Sequence, residues 1–495
     1  MSQQDSLFFY DLETSGIYPD SARIMQFAGQ RTDLDLNPTD EPINYLIKLS
    51  EDILPDPSAV LVHGITPQQT RLEGLSEAEF LDVFYRDIVK PNTTFVGFNN
   101  VRFDDEFIRY LNFRNLYDPY AWGYENNCSR WDILDVVRLT RALRPEGINW
   151  PIDQSGKSVN RLELLTKANN IEHLAAHDAL SDVRATIALS RLIKEKQPKL
   201  YQYLFNLRKK DQAGKLVNSN QPFIYTSAHY PSAQFHTTAV AKIADHPDSS
   251  NVMVFDLRAD PSPWMNKKAI ELAEAWRYKE DRTEDEPLLP VKTMKLNRCP
   301  AIAPLSVIKD KATSKRLSLD LNVIDQHYQI LMASQNAFAK ELNLAVVILN
   351  NEQTKRQADR PRPVDVRLYD GFYSDSDRGK MKVLHQNETA DKIRLFRQTF
   401  SDKRLKQITS LYLARNYQNE LTSEERSGWD SYLNKRLLAG GSKSSLAYYF
   451  QKITKLMDEK KDNRSQLLLE DLKLYGESLI PSDISEDTVI DETVY

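Results

Sequence analysis

The sequence predicts an α/β domain at its N-terminus, then a β-rich middle region, then a helical end. Alternating strand and helix patterns fill the first part, up to about residue 195. Short β-forming stretches such as PFIYTSAHY, NVMVFDLRAD and PVKTMKLNRCP, separated by Pro, Asp, Asn and Ser clusters, occupy Gln221 to Pro300. Helical patterns dominate beyond Pro363. The length of 495 residues agrees, since a domain of about 150 residues implies roughly three of them.

Each element has a local reason. Leu7 to Tyr10 is an aromatic, apolar run that reads as the opening strand, and Phe95-Val-Gly-Phe98 reads as a second. Asn99 and Asn100 then suit the N-cap of a following helix, with Asp104 in its first turn. A long helix is expected from Asp178 to Lys196, stopping before Pro198 because a residue preceding proline is pushed out of the α region. The first domain is therefore placed at 1–197 and the middle domain, a small antiparallel sheet or barrel, at 198–349. Polar, charged, proline-bearing 350–363 (NNEQTKRQADRPRP) reads as a linker. The helical domain follows at 364–480. Thr422-Ser-Glu-Glu425 has the pattern of a capping box opening a helix whose Trp429, Tyr432 and Leu433 share one face.

Composition excludes whole classes of function. With 41% hydrophobic and 27% charged residues, a mean hydropathy of -0.54, and no apolar run near the ~18 residues a bilayer needs, the chain reads as soluble. MSQQDSLFFYDLETSG lacks the basic and apolar regions of an export signal, so a cytoplasmic protein is expected. Cys128 and Cys299 are the only cysteines, too few for a disulfide framework or a cysteine zinc site, so any metal must rest on oxygen ligands. The net charge of -5 comes mostly from the end. Glu477, Asp483, Glu486, Asp487, Asp491 and Glu492 account for six acids with no Lys or Arg among them, which leaves 65 basic against 64 acidic residues elsewhere. An acidic total thus does not exclude nucleic acid, and 481–495 is expected to be a solvated, disordered tail.

The carboxylates carry the chemistry. Alternate side chains of a strand share a face, so Asp11 and Glu13 project together from the end of the opening strand. Two crowded carboxylates repel, and a hard divalent cation such as Mg²⁺ or Mn²⁺ is what neutralises them. An Asp-x-Glu pair alone is most often surface charge. Asp104, however, ends a second strand unit, and His177-Asp-Ala-Leu-Ser-Asp182 opens the long helix with another acid and a histidine. Together these are the parts of two-metal phosphodiester hydrolysis, with a histidine near neutral pKa to remove a proton from water.

FYDLETSG, GFNNVRFDDEF and HDALSD resemble the three motifs of the DEDDh class of ribonuclease-H-like 3′→5′ exonucleases. RIMQFAGQRTD, YDPYAW, SRWDILDVVRLTRALRPEGINWP, RLELLTKANNIEHLAAHDA, NRCPAIAP, LYDGFYSDSDR and LYLARNYQNELTSEER extend the resemblance to the bacterial exodeoxyribonuclease I family. The resemblance implies a ribonuclease-H-like exonuclease domain with a mixed sheet, a middle domain with a small Src-homology-like barrel and an α-helical C-terminal domain. Asp11, Glu13, Asp104 and Asp182 become the metal-site carboxylates for two Mg²⁺, with Mn²⁺ able to substitute, and His177 becomes the general base. It also implies a monomer that degrades single-stranded DNA processively from its 3′ end, releases 5′-mononucleotides and serves repair and recombination. The alternatives are an RNA-directed member of the superfamily and an inactive nucleic-acid-binding scaffold.

Between Arg102 and Arg144, Tyr110, Tyr117, Tyr120, Trp122, Tyr124 and Trp131 interleave with seven arginines. Aromatic faces stack on unpaired bases at about 1–3 kcal/mol each while arginines follow phosphates, which suits a single strand. Some of these rings must be core, Trp131 first among them. By resemblance, Arg109, Tyr120, Tyr124 and Arg138 contact DNA, Glu13 and Thr14 belong to the substrate site, and Arg161 holds a phosphate near the cleavage point. The resemblance also suggests a protein partner, the acidic C-terminal tail of single-stranded DNA-binding protein, with Arg144 and Arg316 as its contacts.

Overall fold

The computed structural model describes residues 4–480 apart from 174–177, 278, 280–281, 284–285, 359–361, 387 and 439–444. Five strands, β1 (Ser6–Thr14), β2 (Ile24–Thr32), β3 (Ile43–Leu46), β4 (Thr93–Gly97) and β5 (Ser129–Asp132), form a mixed sheet in the order β3-β2-β1-β4-β5. β1 runs antiparallel to β2 and parallel to β4, and β4 parallel to β5. Both faces of β1 are apolar, so both are covered. Leu7 and Phe9 pack with Val96, Trp131, Val183 and Leu189 beneath the helix Ala179–Lys196. Phe8, Tyr10 and Leu12 pack with Phe27, Phe95, Phe107 and Leu111 beneath the helix Asp104–Arg114.

The expected long helix is present, with the Asp178 side chain capping it by accepting from the Ser181 N–H at 2.9 Å. Pro198 ends that helix and also opens the next, Pro198–Leu207, because its fixed φ suits the first helical position. Tyr201 of this second helix packs edge-on against Trp131, so the first domain's packing continues past the expected boundary at 197.

The middle region holds the expected antiparallel sheet, made of β6 (Phe223–Thr226), β7 (Thr237–Asp245), β8 (Val252–Asp256), β9 (Val291–Met294) and β10 (Ala301–Pro304) in the order β10-β6-β7-β8-β9. The segment 350–363, expected as a linker, begins as helix over 350–358. A helix runs from Gln335 to Ala358, because Glu, Gln, Lys and Arg are good helix formers and a polar composition does not by itself break a helix. The described elements of the C-terminal region are helices, from Asp375–Leu384 to Asn463–Glu477. Its capping box is formed as expected, with the Thr422 N–H donating to Glu425 at 3.0 Å and the Glu425 N–H donating to Thr422 Oγ1 at 3.2 Å.

This helical region packs on the first domain. Tyr110 and Phe113 share an apolar cluster with Leu368, Tyr373 and Leu405. Beside it Arg415 lies between Asp52 and Asp365, at 2.7 and 2.6 Å, and Arg23 reaches Asp365 at 3.1 Å. No helix among the described residues is long and apolar enough to cross a membrane. The acidic tail lies outside the described residues.

Candidate active site

The face of β1 that carries Leu7 and Phe9 continues into Asp11 and Glu13. The helix covering that face brings Asp182 in its first turn. One carboxylate oxygen from each of Asp11, Glu13 and Asp182 lies within 4.8 Å of the others. Asp104 arrives from the opposite face, as the first residue of its helix, and is buried while accepting from the Leu12 N–H. Burial, then the charges of Asp104, Asp182 and Glu13, pushes Asp11 well above the usual carboxylate range. Glu13 is pushed up to about 8 by burial and then by Asp182 and Asp104. Asp104 rises to about 8, burial again coming first and Asp105 and Asp132 adding to it. Hard oxygen donors that crowd one another at this cost fit a divalent cation, and Asp11, Glu13 and Asp182 are the residues placed to hold one.

The turn before Asp104 departs from expectation. Neither Asn99 nor Asn100 caps the helix; the N-cap position is Phe103, with no side-chain bond. Asn99 sits at φ 71 and donates its N–H to Asp132 at 2.9 Å. A Cβ on Gly97 would lie 2.7 Å from that of Asn100, so glycine is what lets the turn fold back. The helix start is instead supplied with charge by Asp104, Asp105 and Glu106. These three diverge: Asp104 faces the other acids, Asp105 accepts from the Tyr10 hydroxyl and Arg130, and Glu106 accepts from Arg109, Arg298 and Tyr369. Glu106 thereby joins all three regions of the chain. Its role was not legible in the sequence.

His177, the expected general base, lies outside the described residues. A second histidine was missed. His173 Nε2–H donates to Asp182, and its Nδ1 lies 3.2 Å from Thr166 Oγ1. Its only signal was its place nine residues before Asp182 within IEHLAAHDA.

Arg138 and Arg161 line the same cleft as Asp11 and Asp182, a cavity of about 590 Å³. Arg138 is paired with Asp135 at 2.8 Å, and Arg161 is exposed beside Glu163. Arg109 is buried, its guanidinium 5.4 Å from the Tyr120 ring. Tyr124 is 57% exposed. Thr14 is buried and spends its hydroxyl on the Gly16 carbonyl at 2.9 Å. Tyr110, Trp122 and Trp131 are core, and Arg114 is tied to Glu77. The structure adds two exposed rings from the helical region, Tyr369 and Phe372, the latter 6.0 Å from Tyr120. Arg144 and Arg316 meet at the end of the helix Ile133–Leu143, where Arg316 donates to the Ala142 and Leu143 carbonyls. A larger cavity, about 790 Å³ beside Arg397 and Lys406, lies in the helical region away from the clustered acids.

A mixed sheet that gathers Asp11, Glu13 and Asp182 at the end of β1, with Asp104 behind them, fits a metal-dependent hydrolase, and the relatives make it a DNA exonuclease. Residues 8–190 match the family described as Exonuclease, 208–345 the Exonuclease I SH3-like domain and 362–479 the Exonuclease I C-terminal domain. The exodeoxyribonuclease I of Haemophilus influenzae is 38% identical over 486 residues, covering 97% of this chain and all of that one. The zinc-ion-bound form of the Escherichia coli exonuclease I complex with single-stranded DNA superposes with a TM-score of 0.87 at 35% identity, over 97% of this chain and all of that one. An exonuclease I solved with single-stranded DNA-binding protein and an inhibitor gives 0.86 at 35% identity, with the same coverage. The chain belongs to the exodeoxyribonuclease I family.

Proposed function

We propose that the chain degrades single-stranded DNA processively from the 3′ end, releasing 5′-mononucleotides with two Mg²⁺ ions. The observation that carries this is the meeting of Asp11, Glu13 and Asp182, with Asp104 behind them, in a cleft whose wall also holds Arg138 and Arg161. Bound there, divalent ions lower the pKa of water and neutralise charge at the leaving oxygen. Asp11, Glu13, Asp104 and Asp182 hold and orient, and His177 takes the proton from the attacking water at its imidazole nitrogen. His173 holds Asp182 from behind. Arg138 and Arg161 take phosphates of the strand, while Arg109, Tyr120 and Tyr124 contact it further along and stack its bases.

Duplex DNA is a poor substrate in this reading, because opening and flipping each terminal base costs a few kcal/mol. The related complexes with single-stranded DNA and with its binding protein support both partners. Arg144 and Arg316, adjacent on one surface, are the contacts for the acidic tail of that protein. The protein acts as a monomer in DNA repair.

The deciding experiment compares strands labelled at the 3′ and 5′ ends, with and without chelator. Immediate release of labelled mononucleotide from the 3′ label alone, abolished by chelation, is expected. Equal turnover of a matched RNA would favour an RNA-directed enzyme. A trap of excess competitor DNA that halts prebound enzyme after one or two nucleotides would end the claim of processivity.

A further inference from the structure

The cleft that contains Asp11 and Asp182 is lined partly by the middle domain, through Ser232 and His236. Both lie on the turn between β6 and β7, and the first domain fixes that turn. Ser158 Oγ–H donates to the Ser232 carbonyl at 2.9 Å. The Arg141 guanidinium is near two rings, 5.6 Å from Trp150 and 6.0 Å from Phe235.

The backbone at this point is strained. Phe235 and His236 are consecutive non-glycine residues with φ of 54 and 57, a left-handed conformation that L-residues other than Asn and Asp avoid. Such strain persists only where the surroundings hold it, and it gathers at sites that bind or react. The His236 ring is also held. Its Nδ1–H donates to the Tyr230 carbonyl at 2.8 Å, which fixes the tautomer, and Nε2 makes no hydrogen bond among the described residues.

We propose that His236 is a substrate-contacting residue whose Nε2 meets a phosphate of the strand lying beside Arg138, with the strained turn holding the ring in place. This rests on the single-stranded DNA reading above. A phosphate is the target because Arg138 and Arg161 line the same cleft and because sequence-tolerant binding grips the backbone.

The contact carries a proton. The charged groups acting on the ring are Arg138, Arg141 and Asp135. Burial, then the two arginines, keep the ring below the ordinary histidine range against the opposing pull of the Tyr230 carbonyl and Asp135. A phosphate between His236 and Arg138 reverses that balance, so the ring gains a proton at Nε2 and donates it as a charge-assisted hydrogen bond. Affinity therefore rises as pH falls through the interval between the free and bound values.

The test uses the full chain carrying D11A, which binds without cutting, and a fluorescent oligothymidylate at constant salt. Asn and Gly both accept the left-handed conformation, so H236N and H236G should melt at or above the parental temperature. Their Kd should rise about tenfold at pH 6, and the weakening of parental binding between pH 6 and 8 should be lost. Variants that bind like the parent across that range would overturn the proposal. So would melting several degrees lower, which would make the ring structural. If the parent itself ignored the strand while H236 was intact, the DNA reading would fail first and take this inference with it.

Discussion

Two groups of acids are withdrawn from water, one within the first domain and one where the helical region docks on it, and they behave oppositely. Burial alone would push Asp52 and Asp365 up, but Arg415, joined by Arg436 and Arg23, outweighs it and holds both far below the usual carboxylate range. Asp104 is as deeply buried and Asp11 and Glu13 are partly so, but their neighbours are other acids, so burial and those charges together push all three up. The protein thus supplies the counter-charge in one place and leaves it to be supplied in the other. Depth is not what separates a structural acid from a reactive one. A cluster of like charges with no internal partner is tolerated where a ligand uses it.

The largest expected effect comes from removing one acid of each kind. D11N should lower turnover by about 10³-fold or more while leaving single-strand affinity within a few-fold, measured by product release and by anisotropy. A D11N protein that still cut at the parental rate would remove Asp11 from the site. D365A, which leaves Arg415 and Arg23 without a shared partner, should instead cost about 3–5 kcal/mol of stability. Thermal melting reads that loss, and divalent-ion affinity should be unchanged. Were D365A to weaken the ion and spare stability, the two groups would not be separable in the way the charges imply.

Much of this contrast was legible in the sequence, but only half of it. Asp11 and Glu13 could be found because period-two alternation places them on one face and an apolar lead-in marks the strand. Asp104 and Asp182 could be found because each falls in the first turn of a helix, Asp104 despite a turn that Asn99 and Asn100 do not cap. The Arg415 network could not: Arg23, Asp52, Asp365 and Arg415 are far apart in sequence, and none stands in a local pattern. Their pairing follows from docking one domain on another. The helix over 350–358 was missed for the reverse reason. Residues 350–358 were judged by polarity, yet polarity reports exposure, and helix propensity decides whether an exposed segment stays helical. Half the rings between Tyr110 and Trp131 proved to be core for a related reason. An aromatic residue reads the same whether it faces a base or a neighbouring strand.

The smallest effect is the sharpest test of the comparison, because the two groups must respond to pH with opposite signs. Where a folded-state pKa lies above the unfolded value, the native state binds more protons, and stability falls as pH rises between the two. For Glu13 and Asp104 that interval runs from the ordinary carboxylate value to about 8. For Asp52 and Asp365 the folded value is depressed, so their contribution is complete above the unfolded value and is lost only as pH falls below it. In chelator, D104N should therefore match the parent near pH 4 and exceed it near pH 8, by about 1–2 kcal/mol after mutual coupling is allowed for. That corresponds to roughly 2–8 °C in melting temperature, depending on how large a unit melts together. Divalent ion should reverse the difference, because it stabilises the parent and is held poorly by the variant. Ion binding should tighten as pH rises towards 8 and release protons, which calorimetry in buffers of different ionisation enthalpy would count. A D104N advantage that did not change between pH 4 and 8 would mean that the acids at the end of β1 do not repel one another, and the distinction between the two groups would be lost.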